Sequence, residues 1–383
     1  VDIGSTSTKA VLMGEAGDVL AGFYTRTAGR PVEAIQSVLA AVEDLGRRKG
    51  VTIAVRGAGT TGSGRKFVGR VLGADLILDE ITAHARAAVA LNPAVDTIIE
   101  IGGQDAKFTT LKDGRVTFSA MNTVCAAGTG SFIEEQARRL QCPLDEFPAR
   151  TKGCRSPMTS DRCTVFMERD INHFLSVGYA REEMLAASLH AVRENYLAKV
   201  ATPSQIGSTV LFQGATAKNR ALVAAFEQGL NQPIHVSRYC HLTGALGTAL
   251  TLAETAREQD GFVSQFRGIE LYRAQIPIRN EICDLCANHC KITVAVVGTE
   301  TVAYGFLCGR DYETRRFVGN NTSGFDLMSA RRDILKPPPA DAPSRSVTIG
   351  LPAALQLVDD LSFWAHFFAQ LGIRTIVSDR FAE

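Results

Sequence analysis

Two glycine-containing segments with the same polar pattern constrain the fold of this chain more than any other feature. They are residues 2–9 (DIGSTSTK) and residues 100–107 (EIGGQDAK). Each begins with an acid at the end of a strand-like run, where a carboxylate can hold Mg²⁺ directly or through water. The glycines then allow backbone N–H groups to close around phosphate oxygens, and hydroxyls or a lysine add contacts. The repetition favours phosphate binding at both segments over two ordinary turns.

The first 258 residues alternate strand-like and helix-like segments, which is typical of an α/β architecture with a largely parallel or mixed sheet. Residues 31–48 place apolar side chains on one helical face and predict a helix. A hairpin is predicted at 11–20, and short strands are predicted at 51–55, 97–101 and 210–212. Further helices are predicted at 131–140, 163–175, 181–199 and 218–229.

Composition excludes several classes of protein. The chain has 383 residues, with 41 Lys and Arg against 40 Asp and Glu, so its net charge is +1. This balance predicts no bulk attraction to nucleic acid or to an anionic membrane. We find no export signal and no run of about 18 apolar residues, so we expect a cytoplasmic protein without a transmembrane helix.

The composition and pattern of the sequence change after the α/β part, and four regions are predicted. The last of them has a strand–helix–strand pattern and predicts the start of a further α/β domain. Because the chain opens in mid-strand and this last pattern is short, we expect a piece of a longer protein. The regions are the α/β part at 1–258 with a subdomain boundary near 92–96, a cysteine-rich region at 259–335, a stiff proline-rich linker at 336–345 and the truncated domain at 346–383.

Two further glycine segments carry competing interpretations. Residues 212–219 follow a strand and open a helix, where a nucleotide can approach the backbone closely. Residues 57–62 (GAGTTG) match the dinucleotide fingerprint and follow the predicted strand at 51–55. An acidic pair, Asp79 and Glu80, ends the next strand at about the expected distance. This alternative predicts a nicotinamide dehydrogenase, but it leaves both acid-opened segments unexplained, so we rank it lower.

Two cysteines lie at predicted helix starts. Cys125 precedes the helix at 131–140, and Cys163 opens the helix at 163–175. The positive end of a helix dipole and its free N–H groups favour a thiolate, and Arg162 adds a cation beside Cys163. Two thiolates do not complete an iron–sulfur cluster, which normally takes four, but a symmetric dimer could supply two from each subunit. Two buried structural cysteines are the alternative.

The acid-opened segments, the CAAGTG turn at 125–130, the RCTVF segment at 162–166 and the GALG segment at 244–247 resemble one family. Over residues 1 to about 258, they are similar to the ATP-dependent activators of 2-hydroxyacyl-CoA dehydratases and to the related ATPase subunits of benzoyl-CoA reductase. The resemblance implies the actin/Hsp70/sugar-kinase fold, with ATP between two subdomains. It also implies a homodimer whose interface holds one [4Fe–4S] cluster through Cys125 and Cys163 of each subunit. ATP hydrolysis would then drive a low-potential electron from a ferredoxin or flavodoxin into a dehydratase or reductase partner.

The same resemblance implies roles for individual residues. Asp2 and Glu100 would serve Mg²⁺. The family usually has Asp in place of Glu100 and a second glycine in place of Ala215, so this chain has a longer carboxylate and an extra methyl group there. The implied catalytic residues are Asp2, Glu100, Gln104 and Asp105. The residues implied to bind ATP or ADP are Gly4, Ser5, Thr6, Ser7, Thr8, Lys9, Gly102, Gly103, Gly214, Ala215 and Asn219.

A second group of cysteines comprises Cys283, Cys286, Cys290 and Cys308. Four cysteines at this spacing suit a second [4Fe–4S] cluster or a tetrahedral Zn²⁺ site, in which His289 could replace one cysteine. In a chain without an export signal, metal or redox chemistry is favoured over disulfides, and we rank iron–sulfur above zinc. The segment 282–310 also resembles the cysteine-rich part that large activases carry behind the activator domain, ahead of a fused dehydratase-like domain.

The sequence leaves two other functions open. A small-metabolite kinase of the same fold would leave Cys125 and Cys163 without a role. A non-catalytic, zinc-stabilised nucleotide-binding module would bind zinc in place of iron. The cysteine pair at two helix starts favours the ATP-dependent activator. The residues predicted to be structural are His84, His173, His190, His241, Cys142, Cys154 and Cys240.

Overall fold

The computed structural model describes residues 1–122, 128–284, 288–307, 312, 345–354 and 357–378. The chain divides into two compact units, Val1–Pro277 with Val297–Val302 and Ile278–Val296 with Ala303–Glu383. The region boundaries near 92–96, 258 and 335 stay predictions. Among the helices of these described ranges, none is long and apolar enough to cross a lipid bilayer.

The first unit opens with a three-stranded antiparallel sheet, a two-stranded parallel sheet and three helices. The strands are β1 (Asp2–Ile3), β2 (Ser7–Met13), β3 (Val19–Arg26), β4 (Gly59–Thr60) and β5 (Leu76–Ile77). The helices are α1 (Pro31–Lys49), α2 (Arg65–Leu72) and α3 (Glu80–Leu91). The apolar face predicted for α1 is confirmed, because Val32, Ile35 and Val38 are buried. The predicted hairpin is also confirmed and lies between β2 and β3.

A five-stranded mixed sheet forms the centre of the rest of this unit. Its strands are β6 (Thr97–Ile101), β7 (Ala106–Lys112), β8 (Arg115–Met121), β9 (Val210–Gln213) and β10 (Ile234–His235), in the order β10–β9–β6–β7–β8. Strands β6, β9 and β10 run parallel, whereas β7 is antiparallel to both of its neighbours. Every residue of β6 is buried, as expected for a central strand of an α/β sheet. The predicted α/β class with a mixed sheet is therefore confirmed.

Further helices and short 3₁₀ turns complete this unit. The helices are α4 (Gly130–Arg139), α5 (Phe147–Arg150), α6 (Thr164–Ser176), α7 (Arg181–Lys199), α8 (Arg220–Leu230) and α9 (Thr243–Glu258). The 3₁₀ turns are Leu144–Glu146, Pro203–Gln205, Ala215–Lys218 and Ile269–Arg273. Tyr196 of α7 and Phe226 of α8 pack edge to face at 5.5 Å in the main core. Helix α8 begins two residues later than predicted because the Asn219 side chain caps it.

The strand predicted at 51–55 is wrong, and with it the dinucleotide interpretation. Residues 51–58 belong to no strand, and Val51 is exposed. Strand β4 instead lies inside the 57–62 motif, where the Ile3 N–H donates to the Thr61 carbonyl at 2.9 Å. A Cβ atom on Gly62 would lie 2.4 Å from the Ile3 carbonyl oxygen. The backbone of this motif therefore packs against β1, and residues 51–58 form no strand of the kind that the dinucleotide fingerprint requires before it.

The second unit contains an antiparallel hairpin and a parallel βαβ element. The hairpin pairs β11 (Ile278–Ile282) antiparallel with β12 (Lys291–Val297), and β13 (Glu300–Tyr304), most of which is counted with the first unit, follows β12 in the sequence. Further along the chain, β14 (Thr348–Leu351) and β15 (Arg374–Val377) pair in parallel and are joined through α10 (Leu357–Gln370). The predicted strand–helix–strand pattern is confirmed. The predicted linker at 336–345 lies almost wholly outside the described residues.

Candidate nucleotide-binding site

The two acid-opened segments are hairpins of the same geometry. Asp2 on β1 is paired across the sheet with Lys9 on β2. Glu100 on β6 is paired in the same way with Lys107 on β7. In each hairpin the lysine Nζ lies 3.0 Å from the carboxylate, and one backbone hydrogen bond of 2.9–3.0 Å closes the turn. The repeated sequence pattern is therefore a repeated structure, in which each acid already has a cationic neighbour.

Lys107 is surrounded by acids. Its Nζ lies 2.8 Å from Glu80, 3.0 Å from Glu100 and 2.9 Å from Asp105. Burial alone would lower the pKa of Lys107, but these three carboxylates raise it well above its usual value. Its ammonium group is therefore a permanent cation that offsets one of the three negative charges around it, and its own charge is already matched before any phosphate arrives.

The two opening acids are buried and ionised. Asp2 and Glu100 are 7% and 6% exposed, and both line a cavity of about 480 Å³. Burial alone would raise the pKa of each acid, but Lys9 beside Asp2 and Lys107 beside Glu100 hold both values below the usual range. Ionised carboxylate oxygens that face one cavity are the ligands that Mg²⁺ prefers. The donor set therefore fits the implied metal.

His84 lies beside the two acids and was missed as a site residue in the sequence. Its Nε2 is 3.9 Å from a Glu100 oxygen, and its Nδ1 lies 2.9 Å from Gln213 Oε1 and 3.0 Å from Thr243 Oγ1. The ring thus links α3 to the ends of β6, β9 and α9. One sequence signal was available, because His84 follows Glu80 by four residues and the two share a helix face.

Two cavities that share lining residues bring nearly all of the predicted ATP residues together. The smaller one lies between the two hairpin turns, and the larger one, of about 590 Å³, extends to α4 and to 214–220. Thr8 lines neither cavity, and its hydroxyl lies 2.9 Å from that of Thr27. The predicted residues that line one or both cavities are Asp2, Gly4, Ser5, Thr6, Ser7, Lys9, Glu100, Gly102, Gly103, Gln104, Asp105, Gly214, Ala215 and Asn219.

Three polar atoms without partners converge on the larger cavity. Thr6 Oγ1, Asn219 Nδ2 and His241 Nδ1 are buried and make no hydrogen bond, and all three residues line that cavity. Burial, Lys218 and Lys9 lower the pKa of His241 to about 4, so its ring is neutral at pH 7. Each such unpaired group costs about 1–3 kcal/mol. A ligand with donors and acceptors at these three positions would remove that cost.

Gly214 brings the third glycine segment against the second hairpin. Its φ is +91°, and a Cβ atom there would lie 2.1 Å from the Ile101 carbonyl oxygen. The Thr216 hydroxyl donates to the same carbonyl at 2.7 Å. Asn219 Oδ1 accepts from two backbone N–H groups of α8. The Nδ2 of the same amide is the unpaired donor described above.

The start of α4 is bonded directly to the second hairpin turn. The Gly130 N–H donates to the Gly102 carbonyl at 2.9 Å, and the Ser131 N–H donates to the Gly103 carbonyl at 2.9 Å. The Ser131 hydroxyl donates to the same Gly103 carbonyl. Backbone hydrogen bonds therefore join the second hairpin turn directly to the first residues of α4.

Half of the six cysteines predicted to bind metal fall within the described residues. Cys125, Cys286 and Cys308 lie outside them. Cys163 is partly buried at the N-cap of α6, and Cys283 and Cys290 are buried in one apolar cluster, joined by a backbone hydrogen bond of 2.8 Å. Within the described part of the chain, no group of three or more His, Cys, Asp or Glu side chains could hold a metal ion.

Two solved structures share this fold. One is component A of the (R)-2-hydroxyglutaryl-CoA dehydratase of Acidaminococcus fermentans, 28% identical with a TM-score of 0.58 over 67% of this chain and 97% of that one. The other is the activator of the 2-hydroxyisocaproyl-CoA dehydratase from Clostridium difficile with bound ADPNP, 28% identical with a TM-score of 0.59 over 69% of this chain and 97% of that one. The first unit therefore has the fold of these two dehydratase-activating proteins.

Residues 1–251 match the BadF/BadG/BcrA/BcrD ATPase family, and the chain belongs to this family. An uncharacterised protein of Methanocaldococcus jannaschii is 34% identical over 65% of this chain, and the match spans 60% of that relative. The (R)-2-hydroxyglutaryl-CoA dehydratase activating ATPase of Acidaminococcus fermentans is 31% identical over 65% of this chain and 94% of its own length. The relatives thus match the first unit of the chain.

Proposed function

We propose that this chain is an ATP-dependent activator that passes low-potential electrons to a 2-hydroxyacyl-CoA dehydratase-like or related double-cluster reductase. The observation that carries the proposal is the pair of identical acid–lysine hairpins facing a cleft with three unpaired polar atoms. Relatives named as dehydratase activators, and a relative from Thauera aromatica named as part of benzoyl-CoA reductase, support the same assignment.

In this proposal, Asp2 and Glu100 hold Mg²⁺ and the hairpin turns hold the phosphates of ATP. Lys107 pairs with both Asp105 and Glu100 and fixes their side chains, so the second turn is ordered before ATP binds. Asn219 and the 214–219 segment orient the nucleoside. ATP hydrolysis then acts on the segment before α4 through the bonds from Gly102 and Gly103.

In this proposal, Cys125 and Cys163 of each subunit in a homodimer would hold one [4Fe–4S] cluster, which would supply one-electron redox chemistry. Cys163 fits this role because it lies at a helix N-terminus and is partly accessible. Val165 and Phe166 beside it are exposed, which suits a contact between subunits. A ferredoxin or flavodoxin would supply the electron, and a dehydratase- or reductase-type iron–sulfur protein, which a longer chain could carry as a fused domain, would receive it.

Iron content tests the function directly. We expect Cys125→Ala to remove about two irons per chain from anaerobically purified protein, because a dimer shares one cluster of four irons. Iron and acid-labile sulfide are measured beside Cys154→Ala, whose cysteine has no ligand spacing and should keep all of the iron. If the wild type carries no iron that depends on Cys125, the activator assignment fails and the small-metabolite kinase takes its place.

The same measurement distinguishes the two metals proposed for the second cysteine group. Cys283 and Cys290 lie close together at the base of the β11–β12 hairpin, which is compatible with two ligands of one site. Iron that survives Cys125→Ala but is lost in Cys283→Ala would indicate a second cluster. Zinc lost in Cys283→Ala would indicate a structural Zn²⁺ site instead.

Nucleotide binding has its own test at Asn219. We expect Asn219→Ala to weaken ADP binding about tenfold, since a buried donor in the cleft is lost, and to cost about 1 kcal/mol of stability through the lost helix cap. Asp79→Ala is the matched control, because Asp79 caps α3 by accepting from the Thr82 N–H at 2.9 Å and does not line the cleft. ADP affinity is measured by isothermal titration calorimetry. An equal loss of ADP affinity in both variants would contradict a nucleoside role for Asn219.

A further inference from the structure

Asn195 of α7 contacts two segments that are far apart in the chain. Its Nδ2 donates to the carbonyls of Asp161 at 2.5 Å and Arg162 at 2.8 Å, the two residues before Cys163. Its Oδ1 faces Gly128, three residues after Cys125, and lies 2.7 Å from the position that a Cβ atom on Gly128 would occupy. One side chain, 4% exposed, therefore lies between Gly128 and the two residues before Cys163.

We propose that Asn195 is a positioning residue that sets the spacing between Gly128, which follows Cys125 in the sequence, and the two residues that precede Cys163. This inference rests on the function proposed above, because the spacing matters only if both thiolates bind one cluster. A cluster accepts its ligands at fixed distances, and residues that orient metal ligands without binding the metal commonly affect metal affinity by about 10–100-fold. Asn195 contributes no ligand and acts only through the backbone on either side of it.

The chemistry of an amide suits this position. The two N–H groups of Nδ2 serve two successive carbonyls, while Oδ1 remains an acceptor toward the Gly128 side. A carboxylate has the same shape but no donor, so it would repel both carbonyls. An alanine would leave both carbonyls without their partner in a buried place.

Helix α7 gives Asn195 a rigid base. The neighbouring Tyr196 is fully buried, and its hydroxyl donates to the Lys107 carbonyl on β7 at 2.7 Å. The residues before Cys163 are also held from α6, because the Ser160 N–H donates to Asp170 at 2.8 Å. Asn195 adds the contact toward Gly128, and it does so from a helix that is bonded to the second hairpin.

The test compares Asn195→Asp and Asn195→Ala with Ser188→Ala in the full chain. Ser188 is the matched control, since it is buried on the same helix and its hydroxyl donates to the Leu185 carbonyl of that helix at 2.6 Å. In anaerobic protein, we expect a ferrous chelator to remove iron about tenfold faster from both Asn195 variants and within about twofold of the wild-type rate from Ser188→Ala. ADP affinity should stay within about twofold of wild type in all three.

Hydrogen exchange on cluster-free protein separates this inference from the proposed function. We expect amide exchange at 128–131 and at 159–164 to be about tenfold faster in both Asn195 variants than in the wild type. This expectation does not depend on whether the wild type binds iron. The inference is overturned if both Asn195 variants exchange at the wild-type rate. It is also overturned if their amide exchange is faster but the chelator removes iron from them no faster than from the wild type. A joint loss of ADP binding and of the fold in both variants would make Asn195 a general structural residue and would also overturn it.

Discussion

Replacing Lys107 with Met should lower the free energy of unfolding by about 3–5 kcal/mol at neutral pH, because it leaves the buried Glu100 and two partly exposed carboxylates without their cation. The Lys107 side chain is 7% exposed and pairs with Glu80, Glu100 and Asp105 at 2.8–3.0 Å. We also expect ATP turnover to fall, since Glu100 and Asp105 would repel each other in the second hairpin. Urea denaturation and phosphate release measure the two effects.

The pH dependence of this loss follows from Glu100. In the wild type, Lys107 holds the pKa of Glu100 below its usual value despite burial, so this carboxylate stabilises the fold above about pH 4.3 and loses that effect as the pH falls through its folded pKa. In Lys107→Met, burial would raise the pKa of Glu100. The difference from wild type should therefore be largest at neutral pH and shrink as the pH falls toward about 5.

Two further variants test whether the loss comes from the acids around Lys107. Lys112→Met lies on the same strand but at an exposed position, and it should change stability by less than about 0.5 kcal/mol. Adding Glu80→Gln to Lys107→Met should recover part of the stability, because one of three repelling charges is removed. Equal losses in the two Met variants would contradict the proposed role of the buried charge cluster.

Gly214→Ala is expected to lower the free energy of unfolding by about 3–5 kcal/mol and to weaken ADP binding at least about tenfold. Two costs add. The backbone of Gly214 is left-handed at φ +91°, and the new methyl group would lie 2.1 Å from the Ile101 carbonyl oxygen, which is backbone and cannot rotate away. Relief of that contact would move the 214–219 segment away from the second hairpin and widen the nucleoside side of the cleft.

Gly17→Ala separates the two costs. Gly17 has nearly the same backbone angle, φ +85°, but no atom lies within 4 Å of the position of its Cβ. That variant should therefore lose only about 1 kcal/mol from strain and should bind ADP as the wild type does. Chemical denaturation and calorimetry on the two variants would refute the close-contact explanation if both lost the same amount.

Much of the fold could be predicted because its signals are local. The apolar spacing in 31–48 directly indicates the buried face of α1, and the continuous apolar run at 97–101 indicates a buried central strand. The strand predicted at 51–55 failed for a physical reason. Its residues have the right composition, but the chain buries the short β4 against β1 instead and leaves Val51 in solvent. Composition alone does not say which of two neighbouring segments joins a sheet.

The sequence by itself determined that each hairpin brings its acid beside the lysine seven positions later. Cross-strand pairing across a tight turn depends on only a few adjacent residues. Only the tertiary structure decided that Glu80 joins Lys107, that His84 lies beside Glu100, and that Asn195 reaches both cysteine segments. These partners are 16 to 67 residues apart along the chain. Their meeting depends on how helices pack on the sheet, and that packing is set by the whole core rather than by any short window of residues.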